Sequence, residues 1–133
     1  MSDPALVQFV RDVLGCACPD EVLRSIRVDR GALILGCDVE VTRLDAGGRL
    51  LVWVVRATGP APLPALIAAA VAAGFVEREQ RRFNRFRLVI ATDDPAGLEG
   101  TARAAFAECC VPDDRVHLHV VAVEDCPGSA VDS

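Results

Sequence analysis

The feature that most restricts how this chain can fold is a continuous apolar run, Leu50-Leu51-Val52-Trp53-Val54-Val55, closed by Arg49 before it and Arg56 after it. A run of this length with β-branched and aromatic residues reads as a strand. It does not alternate between apolar and polar residues, so both of its faces must be covered, as in a central strand of an α/β sheet. Leu51, Trp53 and Val55 are then expected to face one layer, and Val52 and Val54 the other.

The chain that follows can supply that cover. Leu63, Leu66, Ile67, Ala70, Val71, Gly74 and Phe75 recur at helical spacing and predict a helix running to Arg82. Phe86 to Ala91 predicts a second buried strand. Asp93-Asp94-Pro95 places a cap before a proline suited to the first helical turn. The helix so begun has Leu98, Ala102, Ala105, Phe106 and Cys109 on its inner face, and Val116 to Val123 predicts the last strand. Strand, helix, strand, helix, strand implies parallel strands joined by right-handed crossovers.

Upstream, residues 3–14 predict an amphipathic helix with Leu6, Phe9, Val10, Val13 and Leu14 on one face. Asp29-Arg30-Gly31 reads as a turn. Val39 and Val41 alternate with Glu40 and Thr42, as in a half-buried strand. Asp45-Ala46-Gly47-Gly48 is a turn signal that joins this strand to the apolar run as a hairpin. The expectation is a single α/β domain over residues 1–126 with a mixed, mostly parallel sheet. Residues 1–24 form its N-terminal helical segment, residues 25–126 its sheet and helices, and 127–133 a disordered tail.

Composition bounds the function. The chain has 133 residues, is 52% hydrophobic and carries a net charge of −5, which argues against general nucleic-acid binding. All 14 basic residues are arginine. No apolar run is long enough to cross a bilayer, and the first residues lack the basic and apolar regions of a secretory signal. A cytoplasmic setting with reduced cysteines is therefore expected, rather than a disulfide framework. The glycine patterns of the common nucleotide-binding loops are absent, as is any serine-nucleophile motif. Whether the chain is an enzyme is not legible in it.

Three groups of residues could carry chemistry. The first is Cys16 and Cys18, the one Cys-x-Cys pair among the six cysteines. Gly15 suits a helix end and Pro19 the start of the next helix, so Cys18 falls at a helix N-terminus, which favours its thiolate. Asp20 and Glu21 oppose that effect. The pair suits a metal or a redox couple, or it is simply buried packing. The second group is His117 and His119, which project from the same face of a strand. With Cys16, Cys18 or Cys37 they have the ligand chemistry for zinc or another transition metal. Set against this, the ligands would come from distant parts of the chain. The third group is an arginine-rich run, with Arg82, Arg85 and Arg87 as anion-binding candidates; arginines near a helix C-terminus also suit its dipole.

Carboxylates at the C-terminal ends of the strands, Asp93, Asp94, Glu124 and Asp125, read as caps and loop residues or as a cation site. Two functions remain in view. One is a thiol-based metal-binding or redox protein centred on Cys16 and Cys18. The other is a non-catalytic, oligomeric interaction module that takes an anionic partner on an arginine-rich surface. A protein partner or a second copy suits the latter, with neither nucleic acid nor membrane expected.

Overall fold

The computed structural model describes residues 8–13, 26–33, 40–47, 49–57, 63–83, 85–109 and 116–125. Its centre is a five-stranded sheet in the order β1-β2-β3-β4-β5. The strands are β1 (Ile26–Leu33), β2 (Glu40–Ala46), β3 (Leu50–Arg56), β4 (Arg85–Thr92) and β5 (Val116–Ala122). Helix α1 (Leu63–Arg81) joins β3 to β4, and helix α2 (Pro95–Glu108) joins β4 to β5. The architecture is α/β with a mixed sheet. β1, β2 and β3 pair antiparallel, and β3, β4 and β5 pair parallel.

Asp29-Arg30-Gly31 does not turn the chain. β1 runs straight through these residues, and its register against β2 shifts between Asp29 and Ala32. A glycine and two charges accommodate such an irregularity as readily as they do a turn. The sheet therefore has one more antiparallel strand than the sequence implied. The β2–β3 hairpin falls where expected. Gly47 has φ 60, and the Arg49 N–H donates to the Ala46 carbonyl at 3.1 Å.

β3 is buried from Leu50 to Val55, and its side chains divide between two cores. Leu51, Trp53 and Val55 join α1, α2, Phe86, Leu88, Ile90, Val116 and Leu118 on the first face. Leu50, Val52 and Val54 join Leu44, Ala46, Val89 and Ala91 on the second. Both crossovers step the same way across the sheet, so both helices land on the first face. The second face is covered in part by a short π-helical turn, Phe9–Val13, whose Phe9 and Val10 are fully buried there. Residues 3–7 of the expected N-terminal helix lie outside the described residues, as do 14–25.

On the first face, α1 sits close to β4 because Gly74 has no side chain. A Cβ there would lie 2.2 Å from the Phe86 ring. Phe86 in turn meets Trp53 edge to face, with ring centroids 5.8 Å apart. Glu77 on α1 ties the helix to the sheet by accepting from Arg43 on β2 and from the Trp53 indole N–H at 3.2 Å. The helix then ends at Arg82, which has φ 58. The Phe83 N–H returns to the Arg78 carbonyl at 3.0 Å, closing a Schellman-type cap.

Candidate functional site

Strand register decides which of the candidate residues meet. In the parallel β4–β5 pair Arg87 lies beside His117 and Val89 beside His119. Arg85 and Arg87 share a face of β4, and His117 and His119 share the matching face of β5. All four belong to the second face, the side of Val52 and Val54 rather than of Trp53. The apolar patch under Phe9 and Val10 thus gives way, along β4 and β5, to a cluster of two arginines and two imidazoles.

The cluster has defined geometry. Arg87 is only 7% exposed, and its guanidinium contacts His119 Nε2 at 2.8 Å. A guanidinium has no acceptor, so it donates, and His119 must be neutral at Nε2. This is a diagonal contact between adjacent strands, within the reach of long side chains. Burial, then the charges of Arg87, His117 and Arg103, push the His119 pKa down from 6.5 to about 4. Burial and the neighbouring Arg85 also lower the pKa of Arg87. Arg85 itself is exposed, and its backbone is set by an N–H bond to the Arg49 carbonyl at 3.1 Å. A cationic, half-buried concentration of donors is what such an arrangement presents.

Two other arginines of the run lie on or just after α1. Arg78 is buried on the helix side, near the Phe75 ring and Glu79. Arg82 is exposed at the end of α1, and the buried Phe83 after it belongs to the first core. Arg85 and Arg87 therefore share a face with the histidines. Spacing alone did not reveal this, because pairing Arg87 with His119 requires the β4–β5 register. The legible signal was alternation, Arg85-x-Arg87 and His117-x-His119, on two consecutive strands.

Cys16, Cys18 and Cys37 lie outside the described residues. Among the described residues no group of three or more histidines, cysteines and carboxylates is placed to hold a metal. A metal on His119 Nε2 would have to displace the Arg87 guanidinium. Cys109 is half-buried, with its thiol directed to the Ala105 carbonyl at 3.3 Å. At the strand ends, Thr92 is buried and its hydroxyl accepts from the Asp94 N–H. Asp94 caps α2 through the Gly97 N–H at 3.1 Å, so this carboxylate has a structural task. No helix among the described residues is long and apolar enough to cross a membrane.

Comparison with protein-family models, curated proteins and solved structures finds no match to this chain.

Proposed function

We propose that this protein is a non-catalytic interaction module that takes an anionic group of a protein partner on the β4–β5 part of its second face. The observation that carries the reading is the placing of Arg85, Arg87, His117 and His119 on one face of two adjacent strands. Arg85 supplies an exposed charge beside the buried Arg87–His119 pair. An exposed guanidinium on a cationic face suits a carboxylate or phosphate. The net charge of −5 works against binding an extended polyanion, so a short acidic segment is the favoured partner.

The test is fluorescence anisotropy with a labelled oligoglutamate peptide, run beside a single-stranded RNA of similar length. Binding of the peptide at low salt, weakening as salt rises, supports the reading. Its loss in Arg85→Glu, with the melting temperature unchanged, localises the site. Tighter binding of the RNA would move the partner class to nucleic acid. Binding of neither would end the proposal.

A second reading is favoured by one specific observation. The turn Phe9–Val13 packs on the same face as the imidazoles, and Cys16 and Cys18 follow it in the chain. A thiol site drawing on His117 would need only this local return of the chain. It predicts that Cys18 alkylates faster than Cys109 near neutral pH, and that purified protein contains zinc or another transition metal or forms a 16–18 disulfide on oxidation. Peptide mass mapping and elemental analysis read all three. Slow labelling of Cys18 with neither metal nor disulfide would remove it.

A further inference from the structure

Two positive groups compete for one nitrogen on the second face. His119 Nε2 accepts from the Arg87 guanidinium at 2.8 Å, and the lone pair so used cannot also hold a proton. The contact therefore exists only while the imidazole is neutral. Among the described residues, the charged and titratable groups around it are Arg85 on β4, His117 on β5 and Arg103 on α2. Arg103 is itself paired with Glu99 at 3.6 Å and donates to the Leu118 carbonyl at 3.2 Å. Arg11, in the Phe9–Val13 turn on the same face, is exposed. A proton on His119 would thus join arginines and a second imidazole. Their charges, after burial, are what hold its pKa near 4. His117 and His119 are half-buried, so a ligand on this face can reach them. From the level of Arg85 to His119 the face runs for about 13 Å, the length of four extended residues.

We infer that binding at this face is proton-linked: an acidic segment laid along it from Arg85 brings a carboxylate to His119, whose Nε2 gives up the bond from Arg87 and takes a proton from solvent. This regulation rests on the anion reading proposed above. One N–H bond forms, one hydrogen bond breaks, and no reactant beyond water is needed. The imidazolium then donates to the carboxylate, a charge-assisted bond that the neutral ring cannot make from Nε2. The bound carboxylate offsets the surrounding cations, so the His119 pKa rises from about 4 towards its ordinary 6.5. Between those values the complex holds a proton that the free protein lacks. Affinity therefore increases as the pH falls through this window, and by linkage the partner raises the proton affinity of His119 to the same extent. The Arg87–His119 contact is the resting state of the device, and the protonated, partner-bound imidazole is the other.

The experiment is an anisotropy titration of labelled oligoglutamate with the full chain at about pH 7.5 and about pH 5, for wild type and His119→Gln. In the wild type, NMR follows the His119 imidazole with and without peptide. Glutamine keeps an acceptor for Arg87 and cannot take the proton. The carboxylates of the peptide and of the chain titrate alike in both proteins, so the ratio of their affinities isolates His119. From the higher to the lower pH, binding by the wild type should gain about tenfold relative to the variant. The imidazole should titrate near pH 4 in the free protein and at least about one unit higher with saturating peptide. If the variant fails to fold, the imidazole titration decides alone. Peptide binding with equal pH dependence in the two proteins, or an imidazole titration that the peptide does not move, would overturn the inference and leave the anion reading standing. Absence of binding at both pH values would end both.

Discussion

The two faces of the sheet bury the same strands in opposite ways. The first face is closed by two helices and is apolar along β3, β4 and β5, with polar ties to the helices from Glu77 to Arg43 and Trp53 and from Arg103 to the Leu118 carbonyl. The second face is apolar only under Phe9 and Val10, and then carries Arg85, Arg87, His117 and His119. Buried cations cost free energy unless something compensates them. A chain that needed only stability would continue the valines of β3 across β4 and β5. On the proposed reading, the first face holds the molecule together and part of the second takes a partner.

The sharpest way to break this contrast is to place a carboxylate in each part of the second face. Val54→Asp puts a charge among Leu44, Val52 and Val89 and should cost at least about 3 kcal/mol in urea unfolding. His117→Asp puts the same group beside Arg87 and should change stability by no more than about 1 kcal/mol. Equal losses in the two variants would mean that the cluster is ordinary core.

Gly74→Ala probes the first face. The added methyl meets the Phe86 ring, and overpacking of this kind typically costs about 1–3 kcal/mol. A variant that melts like the wild type would show that α1 can move away from β4, contrary to a tightly closed face.

His119 gives the second face its own dependence on pH. Folded, it takes up a proton only near pH 4, whereas the unfolded chain does so near 6.5. Between those values the unfolded state binds the additional proton, so stability present above pH 6.5 falls as the pH drops towards 4. After allowance for solvent screening the loss should be about 1–2 kcal/mol. Carboxylates titrate in the same window, so the measurement is the difference between wild type and His119→Gln. The variant should show the shallower slope, and equal slopes would place His119 in water.

The smallest expected effect is a gain. Arg82 has φ 58 at the end of α1, where glycine is free of strain. Arg82→Gly should stabilise by up to about 1 kcal/mol, read as a rise in melting temperature.

Much of this architecture could be read from the residues. The division of β3 between two cores follows from an apolar run without alternation, and α2 begins where Asp94-Pro95 said it would. β1 was harder, because Asp29-Arg30-Gly31 has the composition of a turn and only pairing with β2 shows a strand passing through it. The candidate site was half legible. Alternation put Arg85 with Arg87 and His117 with His119, but which pair of strands would be neighbours, and in what register, depends on tertiary packing that no local pattern encodes. Arg82 belongs to the same run in sequence, and the helix cap at Arg82 falls between α1 and the start of β4.

The claim that part of the second face serves binding is tested most directly by a two-dimensional amide NMR titration with unlabelled oligoglutamate peptide at low salt. The account predicts shift changes concentrated in Arg85–Val89 and Val116–Val120, a change at the Arg87 guanidinium, and neither in the Arg85→Glu variant. No perturbation at low salt, or perturbation confined to the exposed sides of α1 and α2, would contradict it.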